Sequence, residues 1–174
     1  MIVLTTERLT LRWFTIDDAP FILSLVNDPD WLRFIGDKGV KNLADAVNYI
    51  RSKPIAMYEG AGFGLYLVLR RSDQIPLGMC GLIKRDGLDD VDIGFAFLPA
   101  FSGMGYAIEA ARATMDLGRN QFGLTRIVGI TSQDNVRSIK LLEKIGLRYE
   151  RDVQLPMSEE VLKLFGWRGR EMQR

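Results

Sequence analysis

Asp92-Ile-Gly-Phe-Ala-Phe-Leu-Pro-Ala-Phe-Ser-Gly-Met-Gly-Tyr-Ala-Ile-Glu-Ala110 changes from one kind of secondary structure to another within a few residues. A strand from about Asp89 ends at Leu98-Pro99, a short loop holds Gly103 and Gly105, and a helix opens at once with Tyr106-Ala107. The first turn of a helix carries backbone N–H groups without intrahelical partners. With the helix dipole they form a site for an anion. Glycine at 103 and 105 removes Cβ atoms, so the backbone can approach a phosphate group closely. Ala107 and Ala110 are small and let the helix lie near the sheet. Gly-x-Gly before a helix also describes an ordinary glycine-rich turn. A dinucleotide fingerprint requires a third glycine after an early parallel strand, whereas position 108 is Ile and the preceding strands read as antiparallel. The Gly-Lys-Ser/Thr of a P-loop is absent.

Working outward toward the N-terminus, Pro76 to Lys84 and Gly64 to Arg71 read as two more strands, separated by the turn-rich Arg85-Asp-Gly and Arg71-Ser-Asp-Gln. A helix from about Val40 to Arg51 is expected to end at Pro54. Another opens at Asp17-Asp18-Pro20 and is broken by Asn27 to Asp30. Leu4 to Trp13 alternates as one strand, with Leu9, Leu11 and Trp13 on one face. Toward the C-terminus, Tyr106 to Arg119 has helical spacing, Thr125 to Thr131 reads as a strand, and Asn135 to Ile145 as a helix stopped by Gly146. Leu147 to Leu155 and the segment holding Leu162, Leu164, Phe165 and Trp167 are expected to add strands, the last at a sheet edge. The fold class expected is α+β: one domain over 1–174, with a mixed, mostly antiparallel sheet of six to seven strands and helices on both faces.

Composition narrows the chemistry. The chain has 174 residues, 23 basic and 22 acidic, for a net charge of +1. That balance argues against a nucleic-acid partner. The sequence contains no histidine and a single cysteine, Cys80. Ser-His-Asp and Cys-His catalysis are therefore excluded, as are histidine zinc sites and thiolate cages, and no metal is expected. Proton transfer must use Asp, Glu, Tyr, Ser, Lys or water. Cys80 lies in an apolar run and reads as a buried structural residue. A lone cysteine fits a reducing cytoplasm. No signal peptide is read at the start, and no apolar run reaches the roughly 20 residues of a membrane helix, so no membrane partner is expected.

Two residue groups carry candidate chemistry. Asn135 and Ser138 lie three apart on one helix and share a face, although Asn135 also suits a helix cap and Ser138 can bond back to its own helix. Asp92, between Val91 and Ile93 on the strand leading to the glycine loop, is the first candidate base; an ordinary strand-end aspartate beside Asp89 and Asp90 is the plainer reading. Glu109 reads as mainly structural. Trp31, Phe34, Met57, Tyr58 and Phe63 suit either an acceptor pocket or a core.

Asp92-Ile-Gly-Phe through Gly103-Met-Gly-Tyr-Ala-Ile-Glu-Ala-Ala resembles the acetyl-CoA motif of the GNAT N-acetyltransferases. It is closest to the branch that acetylates ribosomal-protein N-termini. Thr5-Thr-Glu-Arg-Leu-Thr-Leu-Arg12 and Asn135-Val-Arg-Ser-Ile-Lys-Leu-Leu-Glu-Lys-Ile-Gly146-Leu resemble that branch too. The resemblance implies an acetyl-CoA donor lying in a V-shaped gap between two splayed strands. Phe97 and Leu98 would bond the pantetheine arm as an added strand does. Gly103, Met104, Gly105, Tyr106 and Ala107 would offer N–H groups to the pyrophosphate, and Asn135 would bond the pantetheine. The acceptor would be a small-molecule amine or a protein N-terminus, and the protein a monomer or homodimer. Two positions depart from the family: Ala100 replaces a common Gln or Arg, and Leu142 replaces a common tyrosine acid. Ser138 is then the best helix-borne group to assist the departing thiolate. A non-catalytic acyl-CoA-binding sensor with the same fold is the alternative.

Overall fold

The computed structural model describes residues 1–169. Eight strands form one sheet in the order β1-β2-β3-β4-β5-β6-β8-β7. The strands are β1 (Ile2–Thr5), β2 (Leu9–Arg12), β3 (Leu65–Arg70), β4 (Pro76–Ile83), β5 (Asp92–Phe97), β6 (Arg126–Ser132), β7 (Arg148–Val153) and β8 (Leu162–Arg168). The neighbours β5 and β6 run parallel and every other pair is antiparallel. A parallel pair needs a crossover, and α5 (Tyr106–Asn120) supplies it.

The strands β3 to β5 are apolar on both faces because helices cover both. On one face α1 (Ala19–Leu25) and α3 (Leu43–Ile50) pack Ile22, Leu25, Ala46 and Ile50 against Leu65, Leu67, Leu69, Met79 and Ile83. On the other, α5 and α6 (Val136–Lys144) pack Ala110, Ala111, Met115 and Leu142 against Tyr66, Val68, Cys80, Leu82 and Ile93. Each fully buried large apolar side chain contributes about 1.5–3 kcal/mol.

Four expectations are corrected. The alternation over Leu4 to Trp13 is two strands, which brings the count to eight. The turn between them has no glycine or proline; Thr6 N donates to Leu9 O at 2.9 Å, and Leu9 N donates to Thr6 Oγ1 at 3.0 Å. Asp28-Pro29 does more than break a helix. Asp28 accepts a hydrogen bond from Asp30 N and caps a further short helix, α2 (Pro29–Phe34). Pro54 does not end a helix either. It lies within a wide π turn, Arg51–Ile55, that joins α3 to α4 (Ala56–Ala61), and such a turn absorbs the missing proline N–H. Finally, β8 is not at an edge. It pairs with β6 on one side and β7 on the other, while β7, whose first five residues are exposed, forms the edge. The Arg, Glu and Asp of β7 suit that position, since charge discourages edge-to-edge pairing.

Candidate active site and cofactor cleft

The sheet opens between β5 and β6. β5 pairs with β4 at six register positions, Asp92↔Ile83 to Phe97↔Gly78, but with β6 at one, Asp92↔Val128. Val128 N donates to Val91 O at 3.0 Å there. Beyond that point β5 continues to Phe97 and β6 to Ser132 without mutual bonds. Leu98 N donates to Leu77 O at 2.9 Å, so even-numbered residues of β5 turn their backbone groups to β4. By alternation Phe95 and Phe97 turn theirs into the opening.

Of the two residues named from the sequence, Phe97 turns its backbone groups into the opening and Leu98 turns its groups away from it. The Leu98 N–H is taken by Leu77, and its carbonyl accepts from Phe101 N at 3.0 Å. Its side chain packs with the α1/α3 cluster. Phe95, two residues before Phe97, shares its orientation toward the opening. Strand periodicity counted back from Phe97 was the signal for it.

At the mouth of the opening the chain makes a 3-10 turn, Pro99–Phe101, and enters α5. Gly103 and Gly105 have φ of +77° and +80°, a region costly for residues with a Cβ. No atom lies within 4 Å of a Cβ built at Gly103. The first intrahelical bond is Glu109 N to Gly105 O at 3.1 Å, so the N–H groups of Tyr106, Ala107 and Ile108 have no helical acceptor. Met104 is exposed, and its carbonyl accepts from Arg8 Nη1 at 2.9 Å.

Glu109 fastens this helix start to the β1–β2 turn. It accepts from Thr6 Oγ1 at 2.7 Å, Arg8 N at 2.9 Å and Arg8 Nε at 2.7 Å. Burial alone would raise its pKa, but the bonds from Thr6 and Arg8 outweigh it and hold the carboxylate below its ordinary range. The Arg8 guanidinium also lies 4.4 Å from the Tyr106 ring centroid, and its Nη2 lies 3.3 Å from the position of a Gly105 Cβ. A side-chain cation thus stands beside the loop although position 100 is alanine. The signal was present in the Thr5–Arg12 stretch, but sequence alone did not show that Arg8 reaches the loop.

On α6, Asn135 Oδ1 accepts from Ser138 N at 3.3 Å, so Asn135 does cap the helix. Its amide nitrogen has no partner among the described residues. Ser138 is half-buried, and its hydroxyl makes no hydrogen bond among the described residues. Leu142 is 1 % exposed and packs on Gly129, where a Cβ would lie 2.6 Å from Leu142 Cδ2. That contact explains an aliphatic residue at the position. Thr131, on the same face of β6 as Gly129, is buried with an unpartnered Oγ1. Sequence reading had not singled it out.

Asp92 lies on the opposite face, with Ile83. It is 1 % exposed, accepts from Arg85 Nε at 3.0 Å through Oδ2, and leaves Oδ1 buried without a partner among the described residues. Burial raises its pKa above the ordinary carboxylate value, partly offset by Arg85. Asp92 and Ser138 therefore approach the opening from opposite sides of the sheet. Trp31, Tyr58 and Phe63 are core; Tyr58 stacks between Trp13 and Tyr66 and hydrogen-bonds Phe14 N and Leu65 O. Cys80 is buried beside Thr114, and burial pushes its thiol up to about 12. Among the described residues no helix is long and apolar enough to cross a membrane.

A mixed sheet opened between two strands beside a helix N-terminus offers unpaired strand groups and free N–H groups to a ligand that carries phosphate. The match of residues 8–148 to the acetyltransferase (GNAT) domain makes the assignment specific: the chain belongs to the GNAT acetyltransferase family, whose N-acetyltransferases use acetyl-CoA. An uncharacterised N-acetyltransferase of Bacillus subtilis, YnaD, is 28% identical over 147 residues, 84% of this chain and 83% of the relative. A GNAT-family acetyltransferase structure from Bacillus anthracis superposes with a TM-score of 0.79 at 26% identity, covering 97% of this chain and 98% of the other. RimL, a ribosomal L7/L12 α-N-protein acetyltransferase solved with coenzyme A, shares the fold with a TM-score of 0.81 at 16% identity, covering 97% and 98%.

Proposed function

We propose that residues 1–174 form one N-acetyltransferase domain that transfers the acetyl group to a primary amine by direct attack in a ternary complex. The observation that carries this is the confinement of β5–β6 pairing to Asp92 and Val128, beside the free N–H groups of α5. Bound acetyl-CoA supplies an activated thioester. Phe95 and Phe97 present backbone groups to its arm as a pairing strand would, while Gly103 to Ala107 and Arg8 face its phosphates. Asn135, through its amide nitrogen, and Thr131, through its hydroxyl, are the further polar groups suited to hold the arm.

The amine attacks as its neutral form, so a proton must leave it. Asp92 takes that proton, directly or through water. Its raised pKa brings a carboxylate nearer to neutral pH, which favours base catalysis. Ser138, on the other side of the sheet, hydrogen-bonds the departing sulfur. The acceptor is a small molecule or a protein N-terminus, and the site of action is the cytoplasm, where the single buried thiol suits reducing conditions.

Incubation with acetyl-CoA and a panel of peptides and small amines, with free thiol as the readout, tests the reading. Turnover with at least one amine class is expected. Leu142 in place of a tyrosine acid favours a second reading, an acyl-CoA-binding sensor; binding without thiol release across the panel would establish it.

A further inference from the structure

Glu109 lies in the first turn of α5, where the helix dipole favours a carboxylate. The same dipole favours a phosphate there, and two anions at one helix end repel each other. The protein turns the carboxylate outward instead. Its Oε1 accepts from Thr6 Oγ1 and Arg8 N, and its Oε2 from Arg8 Nε. Among the described residues it accepts nothing from α5, so the N–H groups of Tyr106, Ala107 and Ile108 stay free of it.

The same contacts fix the direction of Arg8. Its turn is held from the other side by Arg71, whose backbone N donates to Arg8 O at 2.8 Å and whose Nη1 donates to Thr6 O at 2.8 Å and Glu7 O at 3.3 Å. Within the Arg8 side chain, Nε is tied to Glu109 at 2.7 Å and Nη1 to Met104 O at 2.9 Å, and the guanidinium rests on the Tyr106 ring. Two bonded nitrogens leave a planar group little freedom to rotate. The guanidinium carries five N–H donors, and those on Nη2 have no acceptor among the described residues. Nη2 stands 3.3 Å from the position of a Gly105 Cβ, at the residue that precedes the free N–H groups of α5. The Arg8 side chain is 41 % exposed, so a ligand reaches it without displacing the core. An arginine edge beside a row of free backbone N–H groups matches the oxygens of a phosphate.

We propose that Arg8 is the residue by which the protein selects a donor that carries phosphate, and that Glu109 is a positioning residue that aims it. This deepens the acetyl-CoA reading and rests on it. The carboxylate that would oppose the phosphate is thereby made to hold the cation that attracts it. Phe95 and Phe97 meet only the arm, so the two parts of the donor are recognised by separate groups.

The test measures two affinities: coenzyme A by calorimetry, and pantetheine, the same arm without its phosphates, by a ligand-observed NMR titration. Arg8→Gln is expected to weaken coenzyme A by about tenfold or more, as loss of a charge-assisted pair does, and to leave pantetheine nearly unchanged. Glu109→Gln keeps the size of the side chain but sets a donor against Arg8 Nε. It is expected to weaken coenzyme A selectively as well, and to cause no further loss once Arg8 is replaced, because it acts through Arg8. Losses that simply add in the double variant, or that fall equally on pantetheine, would make the pair a structural brace and overturn the proposal. If Arg8→Gln does not fold, Arg8→Lys takes its place, since it keeps the charge and loses the fork; the same selective loss is expected, and an equal loss for both ligands overturns the role. Coenzyme A binding by the parent with intact affinity in the Arg8 variant would remove only the role of Arg8. A parent that does not bind coenzyme A would overturn the cofactor cleft and this proposal together.

Discussion

Asp92 stores a conflict between stability and chemistry. Its folded-state pKa lies above the ordinary value because of burial. The protonated form is the one that the fold tolerates, so stability from this group is full below the unfolded pKa and is lost as pH rises through the folded pKa. Asp92→Asn removes that loss while keeping an acceptor for Arg85 Nε. The variant is expected to resist urea better than the parent at pH 7.5, with the difference shrinking toward pH 4, and to turn over more slowly with little change in acetyl-CoA affinity. A difference in stability that does not vary with pH would show that Asp92 is not the group responsible. Ser138→Ala is expected to lower turnover about tenfold to a hundredfold, since each 1.4 kcal/mol changes a rate about tenfold; unchanged thiol release at saturating substrate would assign its task to water. Tyr149 is a poor substitute, because its hydroxyl is bonded to Asp152 Oδ1 at 3.0 Å on the sheet edge. At this scale the sequence told most where residue type alone was decisive. Without histidine, proton transfer fell to Asp, Glu, Tyr, Ser, Lys or water, and Asp92 already stood out. The buried, half-paired state of Asp92 and the reach of Arg8 to the loop depend on contacts between Arg85 and Asp92, and between residues about a hundred positions apart. No local pattern encodes them.

At the scale of elements, the loop and α5 behave as one part. Gly105 has φ of +80°, and a Cβ there would crowd Arg8 Nη2. Gly105→Val is expected to weaken acetyl-CoA binding at least tenfold by calorimetry, because it strains the turn and displaces a cation together. Intact affinity would place the pyrophosphate elsewhere. The α6–β6 contact makes a separate prediction. Gly129→Ala puts a methyl group 2.6 Å from Leu142 Cδ2, and overpacking of this kind costs about 1–3 kcal/mol. A lowered midpoint in urea with an unchanged slope is the expected result. The β5–loop–α5 sequence was legible because glycine, proline and a change of hydrophobic period coincide there. The β1–β2 hairpin was not, since Thr6-Glu7-Arg8 carries no turn residue and is held from outside by Glu109. Pro54 misled for the opposite reason: a strong local breaker was accommodated by a wide turn that only packing can favour.

At the scale of the molecule, a ligand that binds the folded state alone raises stability by mass action. Acetyl-CoA at a hundred times its Kd should add about 2.7 kcal/mol, which for a chain of this size corresponds to a rise of about 5–10 °C in Tm. No shift at millimolar acetyl-CoA would contradict a cofactor cleft between β5 and β6. The fold class was legible from the order of elements, but the order of strands in space was not. Alternation says that β8 is half-buried and does not say which strands flank it. Two apolar faces and seven register pairs with β6 settle its place.

That place has a consequence for the birth of the protein. β7 is made before β8 yet meets the sheet only through it, and β8 closes the far side of β6, the strand that forms one wall of the cleft. While a ribosome is still adding Leu162 to Arg168, β6 is an open edge and Arg148–Val153 has nothing to pair with. The glycine loop and α5 are complete some forty residues earlier. A nascent chain should therefore hold the glycine turn well before it holds a finished cleft, and acetyl transfer should begin only when β8 has left the exit tunnel.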